Sequence, residues 1–211
     1  PRDVGQTNPV PHHPSSTIMT AQQPTPDPRA TCWNCAIETY GTAAIFRRRA
    51  TKLENRLRWL SFMGLIGPVL VGGVVTSFGT DSRLLPLLLV LASLVAVGQL
   101  AVSIWSLVSG WETTLKYAYE SAGDNNHLSR EFQHLGQSDP NAPAFDAAYQ
   151  RLKGLNDARE RADGSQGISD AELRYGMRVG LREFQRPCAG CGEIPTSTTP
   201  TDCDVCGNFE L

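Results

Sequence analysis

Four cysteines near the end of the chain have the spacing of a metal site. Cys188, Cys191, Cys203 and Cys206 form one CxxC, eleven intervening residues and a second CxxC. Each CxxC fits a tight turn. Two such turns facing one another present four thiolates tetrahedrally, the arrangement structural zinc takes. Gly190, Gly192 and Gly207 offer the backbone freedom those turns use. A closed four-thiolate site leaves no position for a reacting water, so Zn2+ here is expected to be structural. Iron is the other metal reading, and two disulfides are the metal-free one. Residues 186–211 could not build a core unaided, so the metal is expected to supply much of their folding free energy.

A second, isolated CxxC is Cys32 and Cys35, in "TCWNC". Alone it is compatible with an unligated pair, a second metal site shared with another subunit, a redox pair or a palmitoylation target. His12 and His13 are candidates to complete a metal site. His127 and His134 fall on an amphipathic helical stretch and read as surface or interface residues. There is no Gly-rich phosphate loop, HExxH, GxSxG, Ser/His/Asp grouping or paired carboxylates, so no enzymatic activity is expected.

These cysteines flank two apolar runs, "WLSFMGLIGPVLVGGVVTSF" (Trp59 to Phe78) and "LLPLLLVLASLVAVGQLAVSIWSLV" (Leu84 to Val108), neither with a charged residue. Each matches the ~20 residues needed to cross a ~30 Å hydrocarbon layer. The linker "GTDSR", Gly79 to Arg83, is short enough to make them antiparallel neighbours. Arg47, Arg48, Arg49, Lys52, Arg56 and Arg58 precede the first run, whereas the linker offers only Arg83 beside Asp81. Basic residues stay on the cytosolic side. Both termini are therefore expected in the cytosol, where reduced thiols favour a metal over disulfides. The basic cluster sets orientation, or also lies against anionic headgroups.

Along the second run Ala92, Ala96, Gln99, Ser103, Ser106 and Gly110 recur at steps of four and three, and along the first Gly64, Pro68 and Gly72 recur at steps of four. Such a stripe is a packing seam between membrane helices, or, in an oligomer, the lining of a water-filled path with Gln99, Ser103 and Ser106 facing it. Pro68 is expected to kink the first helix.

The expected fold is thus an all-α membrane protein: a two-helix transmembrane hairpin, flanking cytosolic helices and a small zinc-ribbon-like knuckle. Its parts are a disordered Pro/Thr/Ser/Gln-rich tail (1–30), a basic cytosolic helix (31–58), the hairpin (59–108), a helical region (109–185) and the zinc module (186–211). The chain opens at Pro1, with Met19 a candidate start, and no signal peptide is expected. In the helical region, the second membrane helix is expected to continue through Trp111, Leu115, Ala118 and Ala122. "GDNN" (Gly123 to Asn126) is expected to weaken or end it. A helix should begin near Pro143, "ADGSQG" should break the chain, and Ser169 and Glu172 have capping-box spacing. A net charge of -2 gives no basic footprint for nucleic acid.

From "FRRRATKLENRLRWLSFMGLIGPVLVGGVVTSF" through "LLPLLLVLASLVAVGQLAVSIWSLVSGWETTLKYAYESAG", residues 36 to 185 resemble the SLATT family of two-transmembrane effector domains. The tail is similar to that of a family of mobile-element proteins described by the spacing CxxC-x11-CxxC. The SLATT resemblance implies a bacterial conflict or antiphage role at the inner membrane. It also implies a homo-oligomeric, pore-forming effector, encoded near a nucleotide-second-messenger synthase or a nucleotide sensor. The competing expectations are a membrane-anchored adaptor whose zinc module recruits a cytosolic protein, and a redox sensor using Cys32 and Cys35.

Overall fold

The computed structural model describes residues 27–78 and 85–210. Among these residues there are five α-helices and no strand: α1 (Pro28–Phe78), α2 (Leu85–Val108), α3 (Trp111–Gln137), α4 (Phe145–Gly164) and α5 (Asp170–Glu183). The four-cysteine segment follows α5. Most of the expected disordered tail, including His12, His13 and Met19, and the linker Gly79–Arg83 lie outside the described residues.

The Asp27 side chain accepts the backbone N–H of Arg29 at 3.0 Å. Pro28, which has no N–H to satisfy, takes the first helical position. Residues 28–30, expected in the tail, are therefore helical. From there α1 runs for 51 residues, ~75 Å at 1.5 Å per residue. α1 is unbroken across residue 58, where the basic helix was expected to give way to the hairpin. "RLRWLSF" contains no helix breaker, and the helix backbone continues through Trp59. α1 also remains one helix past position 68.

α1 is the axis on which the rest packs. α3 runs antiparallel to it: Cys32 shares a cluster with Leu135, the Ser129 hydroxyl donates to the Ala36 carbonyl at 2.7 Å, and Phe46 meets Tyr117 edge-on at 5.8 Å. α5 runs antiparallel along another side, held very close by glycines. A Cβ on Gly176 would stand 2.9 Å from the Gly41 carbonyl oxygen, and one on Gly180 2.6 Å from that of Ile37. α4 folds back on α3. The C-terminal half of α1 lies beside α2, where the Gln99 amide occupies the space a side chain on Gly64 would need.

Two expectations about α3 are corrected. It does not continue α2: Gly110, at φ 63°, ψ 36°, breaks the chain direction between them, a conformation that costs glycine little. Nor does "GDNN" end α3, because Asn125 is buried on the inner face and its amide donates to the Ser121 carbonyl (3.0 Å) and to Asp163 (2.6 Å). That partner on α4 outweighs the weak helix propensity of the four residues. α4 begins at Phe145, two residues past Pro143. The capping box is as expected: Ser169 accepts the Glu172 N–H, and the Glu172 carboxylate accepts that of Ser169.

Leu89–Val108 is the one segment among the described residues long and apolar enough to cross a membrane, where two had been expected, and only 6 % of it is buried. Its leucines and valines, with Trp105, face outward, as do Phe62, Met63, Leu65 and Leu70 of α1.

Candidate metal centre

After α5 the chain turns back on itself through two short knuckles. In the first, the Cys188 carbonyl accepts the Gly192 N–H at 2.8 Å, and Gly192 sits at φ 76°, a conformation in which a side chain would be strained. In the second, the Cys203 carbonyl accepts the N–H groups of Gly207 (2.8 Å) and Asn208 (2.7 Å). A side chain on Gly207 would strike Thr201, so glycine is required there for space.

The knuckles bring the four sulfurs within 4.8 Å of one another. Cys188 Sγ is 3.9 Å from Cys203 Sγ, and Cys191 Sγ is 3.9 Å from Cys206 Sγ. All four are free thiols rather than disulfides. With metal–sulfur bonds of ~2.3 Å, sulfurs at the corners of a tetrahedron stand about 3.8 Å apart. The donor set therefore fits a single tetrahedral metal ion. The thiols are not equivalent. The backbone N–H groups of Cys206 and Val205 hold the Cys203 thiol down at about 7. Burial pushes the Cys206 thiol up, with Cys188 adding to it.

The centre is docked on the helices. Buried Cys188 and Cys206 share an apolar cluster with Ile37 of α1 and Leu181 of α5, to which Met177 and Phe184 add. Two arginines of α5 grip the knuckles. Arg178, 7 % exposed, donates from Nε to the Ser197 carbonyl at 2.8 Å and from Nη1 to Thr201 Oγ1 at 3.3 Å. Its Nη1 also reaches the Cys206 carbonyl (3.4 Å) and Sγ (3.9 Å). Arg174 donates to the Asp204 carbonyl (2.8 Å) and the Asn208 carbonyl (3.1 Å). Residues 186–210 thus share an interior with α1 and α5. Thiolates around a metal carry surplus negative charge, and a buried guanidinium at 3.9 Å offsets it.

Sequence reasoning missed Arg174, Arg178, and the Gly176–Gly180 pair that lets α5 approach α1. The G-x-x-x-G spacing was there to be read. The arginines, one helical turn apart, carry no local signal of the knuckles they grip. Asp163 was also missed. It is 2 % exposed and accepts from Tyr117 (2.7 Å), Ser121 (2.8 Å), Asn125 (2.6 Å) and Arg159 (2.9 Å), tying α4 to α3.

The other expected site residues are dispersed. Cys32 is fully buried beside Leu135 and Phe145, and burial raises its thiol. Burial, then Glu38, pushes the Cys35 thiol up to about 11. Both shifts oppose the thiolate that redox chemistry or metal ligation needs. Neither belongs to a metal-type cluster among the described residues.

On α2, Gln99 and Ser103 are half-buried, as is Ala92, and Ser106 is buried, in a helix whose large apolar side chains from Leu89 to Val108 are exposed. Within one chain this is the packing seam: Gln99 fills the notch at Gly64. The basic cluster divides. Arg49 forms a two-pronged bond with Glu172, both contacts 2.7 Å, and donates to the Gln166 and Gly167 carbonyls. Arg48 lies over Tyr175, 4.8 Å from the ring centre, and Arg58 pairs with Glu54. Arg47, Lys52 and Arg56 are exposed.

Residues 29–209 match the protein family described as Mobilome CxxCx(11)CxxC protein. No curated protein and no solved structure matches the chain.

Proposed function

This chain belongs to the mobilome CxxCx(11)CxxC protein family, and from that premise we propose that it is a non-enzymatic, zinc-stabilised effector of the bacterial inner membrane. In this reading the second half of α1 and all of α2 form a two-span hairpin, both termini are cytosolic, and chains assemble to permeabilise the membrane when triggered. The observation that carries it is α2: a predominantly apolar segment of twenty residues, Leu89–Val108, almost wholly uncovered, prolonged by the exposed apolar surface of α1. A soluble core helix would be buried. Six basic residues on the N-terminal side of Trp59 orient the hairpin. The resemblance of residues 36–185 to SLATT effectors supports permeabilisation and a trigger from a nucleotide-second-messenger synthase or sensor encoded nearby.

Zinc suits the four-thiolate set at 3.9 Å edges and a reducing compartment. Its Lewis acidity has no open position to act through, so its contribution is cohesion of the tail. Cys188, Cys191, Cys203 and Cys206 would hold the ion, Arg178 would balance its surplus charge, and α5 would carry both against α1.

The test is ion and dye flux from liposomes holding the assembled, triggered protein; tight vesicles sink the permeabilising reading. A second reading, a membrane-anchored adaptor, is favoured by Gln99, which packs on Gly64 within the chain. Gln99→Leu separates the two. A water-lined path loses conductance while assembly persists, whereas a packing role weakens helix association, by on the order of 1 kcal/mol. Orientation is tested with a cysteine at Ser82, which an impermeant reagent should label in intact cells while Cys206 stays unlabelled.

A further inference from the structure

We propose that a recess between α1 and α3, just inside the cytosolic face, binds the phosphate of an anionic phospholipid headgroup; this rests on the membrane reading above. The recess has a volume of about 170 Å3. Lys52 and Arg56, one turn apart on α1, stand at it. Both are exposed, and neither has an ion pair or hydrogen bond among the described residues. No carboxylate lines the recess. The nearest acid in sequence, Glu54, is taken by Arg58 (2.7 Å) and the Tyr119 hydroxyl (2.6 Å). Arg49 is already neutralised by Glu172. Phe46 and Tyr117 supply an apolar floor, with the Tyr117 hydroxyl engaged by Asp163. Two uncompensated cations over an apolar floor are matched to a phosphate that carries carbon on one side.

Depth decides between a lipid and a soluble phosphate. Arg56 precedes Trp59 on α1 by three residues, and Thr114, which also lines the recess, follows Trp111 on α3 by three. At 1.5 Å per residue each is ~4.5 Å from a tryptophan at the edge of the exposed apolar surface. Tryptophan marks the headgroup level, so both walls place the recess there. Basic pockets on the cytosolic side of membrane helices hold anionic headgroups in this way.

The experiment is lipid retention by the full chain in a neutral detergent, which removes the diffuse attraction of a charged bilayer. Protein reconstituted in mixed phosphatidylcholine and phosphatidylglycerol is extracted, and retained lipid is counted by native mass spectrometry. The parent should hold about one phosphatidylglycerol per chain, with little phosphatidylcholine. Lys52→Gln with Arg56→Gln should lower retention by roughly twenty-five-fold, at about fivefold per cation. Lys52→Arg with Arg56→Lys should keep it. Lys116→Gln, an exposed cation on α3 outside the recess, should also keep it. Helicity and metal content report whether each variant is folded.

The proposal is overturned if the parent retains no preference for phosphatidylglycerol, if the folded double variant retains as much as the parent, or if Lys116→Gln loses as much as the double variant. Displacement of the lipid by millimolar inorganic phosphate would overturn the lipid assignment in favour of a soluble ligand. Flotation with pure phosphatidylcholine vesicles tests the membrane reading separately. A chain that stays in the aqueous fraction there defeats that reading, whereas a chain that floats but retains no lipid defeats only the recess.

Discussion

Arg178→Met should loosen the metal without removing a ligand. Four thiolates around a divalent ion leave two surplus negative charges, and the Arg178 guanidinium lies 3.9 Å from one of the sulfurs. At that distance unit charges attract by about 4 kcal/mol at an effective dielectric constant near 20. Desolvating the buried guanidinium consumes part of this. The substitution also leaves the Ser197 carbonyl without its 2.8 Å partner. Loss of a supporting residue around a metal site commonly lowers affinity ten- to a hundredfold, about 1.4–2.8 kcal/mol, and the geometry here argues for the upper part of that range. The assay is competition for zinc with a chromophoric chelator at fixed pH, using the full chain in detergent. Arg178→Lys keeps the charge but not the fork, so it should fall between parent and Met variant. A loss below threefold for Arg178→Met, or a Lys variant as impaired as the Met variant, would refute the electrostatic argument.

Cys203→Ser should take bound metal from about one ion per chain to near none while helicity is largely kept, as read by metal analysis and circular dichroism. Gly180→Ala puts a methyl 2.6 Å from the Ile37 carbonyl oxygen. It should cost about 1–3 kcal/mol and lower the melting temperature. Gly154→Ala, with nothing within 4 Å of the added carbon, should be neutral or stabilising; equal melting temperatures for the two variants would contradict the close α1–α5 crossing. The Arg49 guanidinium holds the Glu172 carboxyl at about 2, below its ordinary 4.5. A depressed folded-state value stabilises fully above about pH 4.5, and that stabilisation is lost as pH falls toward 2. After allowance for solvent screening it is about 1–2 kcal/mol. With metal chelated throughout, the stability gap between the parent and Glu172→Gln should narrow from pH 4.5 to 2.5; a constant gap would show that the ion pair contributes nothing.

The parts legible in sequence were those written in local spacing. The CxxC pairs brought their four sulfurs together, and Ser169 and Glu172 capped α5 as their separation required. Local reading failed where a distant partner decided the outcome. "GDNN" looked like a helix end because its preferences are weak, and only Asp163, 38 residues away from Asn125, explains why α3 continues. Nothing in local spacing marked Arg174 and Arg178, because the knuckles that cover them come later in the chain and fold back. Arg49 looked like one more cytosolic positive charge, yet it holds the start of α5. The basic stretch before Trp59 therefore includes at least one tertiary lock, which charge counting cannot separate from an orientation signal.

The unbroken length of α1 has a mechanical consequence. Ile37 touches the metal centre and Gly64 receives Gln99, and both stand on one hydrogen-bonded cylinder, 27 residues or ~40 Å apart. Such a cylinder resists twisting far better than a jointed chain, so it behaves as a drive shaft. If the tail turns α1 by ~10° at Ile37, the same turn arrives at Gly64. At a side-chain radius of ~5 Å that sweeps the helix surface about 0.9 Å past α2. Torque, rather than any change in length, is what an event at the metal end would deliver to the contact between α1 and α2.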